Sequence, residues 1–557
     1  MKRVLVLGKK ESDWLQILRQ SRDIELRVID PEVRDAGELA GYDAILITGG
    51  TEDEPLLLNA EAQFGIEAHL GNGKRVLAEY TAGAAGIYFQ LEKTYATRFR
   101  RMVHLGERVA GLEPGDLLDD QSNQLTPPFQ RRLLHSPLLV SKKGIVAHSR
   151  VDSLDGMDSE VEEWAACMHG RNLMLCCFRA CNFVRARFAP SKKWAALFSY
   201  MLSWLCGADI DAASLPPAYS LGIASPLDRC IDDAMGWFAR ASMLKDGGAR
   251  GVYEGLASDI KPDGTQAFMP MIRADCTGET MLAHHLYGML RGDGEATRRA
   301  RLMGDFCFGR MQVKEGFLKG MVRWSELAWG TCYQDDVARV LIPQLLICIY
   351  GNADRHLDDV VAALEFLMAT TGTDGTRIPR TDNLSMDAAA IKALAMEPGE
   401  CPSAHYNAFY VGALLLCSML TGRADMREMG ARCLTAIMNV YPDTERQVSE
   451  TEEKARLVMP LAFLYKATGE ELHLRWLNRV CADLDQLGLA VGALAIFVVI
   501  LLRDGEDGAP GLRVVVDAPA HIGNRDIEDL RVGQAALVLG PLILIDPPGE
   551  QLRLCGV

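Results

Sequence analysis

One pattern restricts what this chain can fold into more than any other. An apolar helix closes on glycine, a short polar turn follows, and an amphipathic helix comes next, again and again from about residue 225 onward. The pattern reads LYGMLRGDGEATRRARLMGDF, LLICIYGNADRHLDDVVAALEF, CSMLTGRADMREMGARCLTAIM and LYKATGEELHLRWLNRVCADL, with turn glycines at Gly292, Gly351, Gly422 and Gly469. Each glycine is expected as a left-handed helix C-cap, a conformation that a residue without Cβ adopts at no steric cost. The first helix of each pair is apolar nearly all round and the second carries charge on one face. The first helices are therefore expected inside and the second outside. The expected architecture is a toroid of paired α-helices.

In such a ring the inner helices run the same way, so the segments that precede them gather at one end. Here those segments are polar: RADCTGE (273–279), YQDDVAR (333–339), SAHYNAF (403–409) and SETEEKAR (449–456). Helix capping would account for one residue in each, such as Thr277, Ser403 or Ser449. It does not account for Arg273 with Asp275, or for Asp335 with Asp336 and Arg339. A cavity site does, with helix N-termini adding positive potential at its floor. The long loops 251–276 and 316–336 add Tyr253, Phe268, Trp324, Trp329 and Tyr333, flat rings of the kind sugars stack on, although any single tryptophan can equally serve to pack its own loop.

On the glycine-turn repeat, the loop glutamate of GVYEGL, and the segments YQDDVAR, AHYNAF and PLAFLYKATGE, residues 225–500 resemble the six-hairpin glycosidases. The resemblance implies an (α/α)6 toroid over residues 225–505 and a carbohydrate substrate, and the same fold also hosts sugar epimerases and lyases. Glycoside hydrolysis needs one protonated carboxyl and one ionised carboxylate. The candidates are Glu254, Asp335, Asp336, Glu450 and Glu452. Adjacent aspartates at a helix start repel each other, and Arg339 one turn on favours the ionised form of one of them. Asp336 is expected as the acid, Asp335 as a substrate-orienting group, and Glu450, ahead of Glu254, as the base. Glu452 is expected in an i,i+4 ion pair with Arg456. Substrate contacts are expected from Tyr253, Arg273, Asp275, Glu279, Trp324, Trp329, Tyr333, Arg339, His405 and Tyr406. An epimerase would use histidines instead; His405 suits that role but a second cavity histidine is not evident. A non-enzymatic sugar-binding protein would keep the aromatic residues and need no paired acids. No metal site is expected, since His284 and His285 are adjacent on one helix and no histidine or cysteine cluster accompanies them. No cofactor is expected.

The first 215 residues follow another rhythm. Short apolar runs, VLVLG (4–8), LRVID (26–30), AILITGG (44–50) and RVLAEY (75–80), alternate with amphipathic segments, which signals a parallel sheet flanked by helices. RVLAEY leads through TAGAAG into a helix, the path of a nucleophile elbow. With HGRNLMLCCF and the closing helix WAALFSYMLSWLCG, this part resembles the class I glutamine amidotransferase-like superfamily, a flavodoxin-like α/β fold whose non-catalytic members include trimerisation domains of some β-galactosidases. The family's nucleophilic cysteine falls on Thr81, and no His-x-Glu pair is present to activate it. A hydroxyl without a base does not replace a thiolate, so a structural or oligomerising role is expected. His169 is expected in a solvated turn.

Lys plus Arg total 59 against 74 Asp plus Glu, a net charge of −15 that repels nucleic acid and anionic membrane. The 15 cysteines are scattered and read as reduced core thiols. Together with an opening MKRVLVLG that lacks a signal-peptide pattern, this gives a cytoplasmic expectation. The run GLAVGALAIFVVILL (488–502) is too short to span a bilayer as a helix and is expected in the core. Residues 511–557 alternate strand-like runs with Gly, Pro and Asn turns, which suggests a small β appendage.

Overall fold

The computed structural model describes residues 1–8, 11–51, 54–86, 95–96, 100–106, 108–109, 111–121, 125–126, 136–143, 165–218, 226–261, 263–382, 386–445, 450–486, 501–504 and 510–513. The chain divides into two units, Met1–Ile223 with Leu256–Phe268, and Ala224–Gly255 with Met269–Val557. Residues 256–268, which the sequence pattern groups with the helices, thus belong to the first unit.

In the first unit the apolar runs become strands β1 (Lys2–Leu7), β2 (Ile24–Ile29), β3 (Ala44–Ile47) and β4 (Arg75–Glu79). They are followed by β5 (Arg100–His104), β6 (Leu117–Leu118), β7 (Ser136–Lys143), β8 (Ala165–His169) and β9 (Leu173–Cys176). Their order in the sheet is β2-β1-β3-β4-β9-β8-β7-β5-β6. The sheet is parallel from β2 to β9 and antiparallel beyond. It is therefore a mixed sheet. Helices α1 (Asp13–Gln20), α2 (Ala60–Gly71) and α3 (Ser191–Cys206) accompany it. β1, β3 and β4 are buried on both faces over most of their length, as strands covered on two sides must be.

At the end of β4 the strained position is Tyr80, at φ 43°, and not Thr81. The Tyr80 ring is fully buried. The Thr81 hydroxyl donates to the Glu79 carbonyl at 2.7 Å, so the elbow lies one residue earlier than its motif suggests and presents no free nucleophile there. His169 is also not a solvated turn residue. It ends β8 and packs on α3, edge-on to Trp204 at 5.0 Å, with Tyr200 Oη 3.2 Å from Nδ1.

The second unit opens with α4 (Leu227–Arg240). Four helical hairpins follow: α5 (Ala274–Arg291) with α6 (Gly294–Phe306), α7 (Gln334–Gly351) with α8 (Leu357–Ala369), α10 (Ala404–Thr421) with α11 (Ala424–Val440), and α12 (Glu450–Thr468) with α13 (Glu471–Gln486). The short α9 (Ala388–Leu394) lies between α8 and α10. The first helix of each pair packs on the first helix of the next, α5 on α7, α7 on α10 and α10 on α12, while each also packs on its own second helix. Burial follows that division: 13 of 18 residues of α10 are buried against 6 of 17 in α11. The four inner helices thus form a continuous apolar wall. Among the described residues there are four hairpins and a leading helix, against six hairpins expected. Residues 487–500, which the sequence reading also assigns to this unit, lie outside the described residues.

Gly292, Gly422 and Gly469 take the left-handed conformation expected of them. Gly351 does not. It is the last residue of α7, and the left-handed cap is Asn352 at φ 45°, asparagine being the residue after glycine that best tolerates that region. At Gly278 α5 and α7 meet backbone to backbone: a Cβ there would lie 2.5 Å from the Arg339 carbonyl oxygen and 2.6 Å from Val340 Cα. Strand Leu501–Asp504 pairs antiparallel with Pro510–Arg513, so the expected start of an appendage at residue 511 falls inside a hairpin. Residues 514–557, and 488–500 of the apolar run, lie outside the described residues. None of the described helices is long and apolar enough to cross a membrane.

Candidate active site

Three inner helices begin without a side-chain cap of their own, at Arg273, Tyr333 and Ser403. Capping therefore does not explain their polar starts. Thr277 sits inside α5, where its hydroxyl donates to the Arg273 carbonyl and accepts from the Val252 N–H. Ser449 lies outside the described residues. The start of α10 is capped from another helix, by Glu453 of α12, whose two carboxylate oxygens accept from the N–H groups of Ala404 and His405.

Arg273 organises one half of the cluster. Its guanidinium forks onto Asp275 at 3.0 and 2.6 Å, donates to Glu254 Oε1 at 3.0 Å and reaches Asp336 Oδ1 at 3.2 Å. The Trp324 ring lies against it at 5.1 Å and meets Tyr333 edge-on at 5.2 Å. Arg339 sits 3.6 Å from Glu279 and 3.9 Å from Asp275. The other half centres on His405: Nε2 is 3.7 Å from Asp335 Oδ2 and Nδ1 is 3.3 Å from Glu452 Oε1. Arg456 lies 3.9 Å from Asp335, 2.7 Å from Glu452 and donates to the His405 carbonyl at 3.0 Å. The close contact at Gly278 is what allows α5 to bring Arg273 and Asp275 onto the start of α7.

These surroundings separate the carboxyls. Burial first, then Asp275 and Asp335, push Asp336 up to about 8 against the pull of Arg273 and Arg339. Burial likewise raises Asp335, opposed by His405, Arg339 and Arg456. Glu279 rises to about 7, through burial, with Arg339 opposing. Glu452 is held down at about 2 by His405, with Arg456 adding to the effect. Near neutral pH Asp336 therefore holds its proton, next to an Asp335 that faces Arg339, Arg456 and the His405 ring. Several buried polar atoms in this network, Glu254 Oε2, Trp324 Nε1, Asp335 Oδ1 and Arg339 Nε among them, make no hydrogen bond among the described residues. Such atoms cost about 1–3 kcal/mol each unless something else satisfies them, which marks this as a place for a polar ligand.

Most residues expected at the site do meet here: Glu254, Arg273, Asp275, Glu279, Trp324, Tyr333, Asp335, Asp336, Arg339 and His405, with Tyr406 edge-on to His405 at 4.9 Å. Tyr253 stands at the margin under Lys245, 5.7 Å from its ring centroid. Trp329 is half exposed and stacks on Arg323 at 4.6 Å. Glu450, expected as the base, pairs with Lys454 at 2.7 Å on its own helix, with a half-exposed side chain. Glu452, expected only as the partner of Arg456, makes that pair and also joins His405. Arg456, Glu453 and Gln334 contribute to the site although sequence reasoning gave them no part in it. Their one local signal is the four-residue spacing of Glu452 and Arg456. No group of described histidine, cysteine and acidic residues is arranged to hold a metal ion.

No known protein-family model matches this chain, and no curated protein matches it. Parts of its backbone are similar to solved structures. One is an inactive α-1,6-mannanase of a Salegentibacter species, with two consecutive aspartates replaced by asparagine and α-1,6-mannotriose bound (13% identity, 38% of this chain, 62% of that one, TM-score 0.31). Another is a D-mannose isomerase (12% identity, 48% and 72%, TM-score 0.36). A third is a family 105 glycoside hydrolase of C. acetobutylicum (11% identity, 42% and 65%, TM-score 0.30). The chain spans less than two thirds of the length of the mannanase.

Proposed function

We propose that this protein is a carbohydrate-active enzyme, a glycoside hydrolase whose reaction is carried by the start of α7. The observation that supports this best is the division of labour between two consecutive aspartates. Asp336 is pushed up to about 8, and Asp335 faces two arginines, Arg456 and Arg339, and the His405 ring. The first is the general acid for the leaving oxygen, and the second is the ionised carboxylate that activates water or attacks the anomeric carbon. Arg273, Trp324 and the unpartnered oxygen of Glu254 supply the hydrogen-bonding and stacking contacts that a pyranose ring requires. Release of reducing sugar from a panel of plant, fungal and bacterial glycans tests the reading. Absence of release from every member, by folded protein, refutes it.

A sugar isomerase is the second reading, and His405 favours it, being in contact with both Asp335 and Glu452. Incorporation of solvent deuterium into a free aldose, without glycoside cleavage, would identify that reaction. For the first unit we infer a glutamine amidotransferase-like, flavodoxin-like domain that has lost its chemistry and serves self-association; the parallel half of its sheet and the internally bonded Thr81 support this. A monomer in sedimentation at micromolar concentration would refute the association. The cytoplasm remains the compartment proposed, and carbohydrate the only partner beyond a second copy of the chain.

A further inference from the structure

Arg377 is among the largest fully buried side chains in the protein, at 0% exposure. Among the described residues no carboxylate lies within ion-pair distance of it. Its guanidinium is instead satisfied by neutral oxygens: Nε donates to Thr370 Oγ1 at 2.8 Å, one terminal nitrogen to Gln334 Oε1 at 2.6 Å and to the Ile378 carbonyl at 3.4 Å, and the other to Thr381 Oγ1 at 3.0 Å. An arginine cannot shed its proton in a protein, so a full positive charge is buried here without a contact counter-ion. Removing such a charge from water is costly. The titratable groups it senses are Cys332, Tyr410 and Asp335. Burial pushes the Cys332 thiol up to about 11 and the Tyr410 phenol higher still, so both are neutral near pH 7. Of the three, Asp335 is the one carboxyl.

The position of Arg377 is as specific as its charge. Gln334, its partner, is the first residue of α7 and immediately precedes Asp335. The Gln334 side-chain amide also donates back to the Arg377 carbonyl at 3.3 Å. The Arg377 N–H donates to Asn407 Oδ1 at 3.0 Å, two residues beyond His405 on α10. One buried residue is thus bonded to the two helices that carry Asp335 and His405.

We propose that Arg377 is a positioning residue for the candidate active site: bonded to Gln334 at the start of α7 and to Asn407 of α10, it holds Asp335 against His405, and its buried charge, with no carboxylate in contact, favours the ionised form of Asp335. This rests on the hydrolase reading for its consequence, but not for its test. Asp335 is also faced by His405 on α10, Arg456 on α12, and Arg339 and Asp336 on its own helix, with Tyr406 and Cys332 nearby. Asp336 is faced by Arg273 and Asp275 from α5. Arg377 is the one cation in this set with no carboxylate of its own in contact.

The experiment is a carbon-detected titration of labelled aspartate side chains in the intact folded chain, with pH profiles of kcat/KM on an activated aryl glycoside in parallel. Arg377→Met should move the Asp335 midpoint upward by about one pH unit, the low end of what a nearby charge does, and carry the acidic limb of the profile with it. Arg377→Lys, which keeps the charge and loses the fork, should restore most of the difference. Should Arg377→Met not fold, Thr370→Asp sets a carboxylate against the guanidinium and should raise the Asp335 midpoint in the same way. An Asp335 midpoint unmoved in a folded variant, or moved equally by Met and Lys, overturns the proposal. A moved midpoint in a protein that cleaves no glycoside supports it and sinks only the hydrolase reading.

Discussion

Replacing Asp336 by Asn removes one transferable proton and little else. The side chain is nearly buried, accepts from Arg273 at 3.2 Å, and occupies the third position of α7, so the amide keeps the size and can keep the Arg273 contact through its oxygen. With the carboxyl titrating at about 8, roughly nine tenths of the wild-type molecules hold that proton at pH 7. General acid catalysis contributes typically about 10²–10⁴-fold, so turnover of a natural glycan should fall in that range. An aryl glycoside with a good leaving group needs less protonation and should lose much less. Stability should move the other way. A carboxyl whose folded value is raised from 3.8 to about 8 keeps its proton in the folded state while the unfolded chain has lost it. Its contribution therefore falls as pH rises through that window and has been fully lost above about 8. Asn does not titrate, so the variant should gain a few kcal/mol relative to wild type at pH 8 and almost nothing at pH 4. Urea midpoints at the two pH values measure this. Near-normal turnover on the natural glycan, or equal losses on good and poor leaving groups, would refute the assignment and turn attention to Glu254.

Gly278→Ala forces a methyl group into the Arg339 carbonyl and should cost about 1–3 kcal/mol, with loss of turnover as α5 retreats from α7, read by thermal melting and kinetics together. Glu450→Gln removes the carboxylate paired with Lys454 and should leave kcat/KM within about twofold, since Glu450 is not among the groups that face Asp335 or Asp336. Glu452→Gln should reduce turnover more than tenfold, because removing a charged partner from a half-buried group is worth about 1.5–3 kcal/mol and here releases both His405 and Arg456; equal behaviour of the two variants would refute the geometry. Thr81→Ala loses one local hydrogen bond and should leave any glycosidase activity unchanged, a tenfold loss in folded protein being the contrary result.

What the chain determines locally is written in its sequence. Left-handed caps at Gly292, Gly422 and Gly469, apolar inner helices with amphipathic partners, parallel strands ending near residues 7, 29, 47 and 79, and a doubled aspartate in the first turn of an inner helix all follow from the chemistry of a few neighbouring residues. Even the errors are local. Asn352 took the cap expected of Gly351 because either residue tolerates the left-handed region, and the left-handed residue after β4 is Tyr80, one before the Thr81 that the motif singles out, because a motif fixes spacing and not dihedral angles. Which carboxylate joins the site was not legible. Glu450 and Glu452 both lie in the first turn of the same inner helix and both have a basic residue four positions on, so helical periodicity treats them alike, and only the packing of α12 against α10 sends one to His405 and the other to its margin. Arg377 was invisible for the same reason. Its partners Gln334 and Asn407 lie 43 and 30 residues away, and its burial, its missing counter-ion and its bearing on Asp335 arise only when α7 and α10 close on it. Charge and dielectric around a buried group depend on everything within about ten ångströms, and tertiary packing alone decides which residues those are.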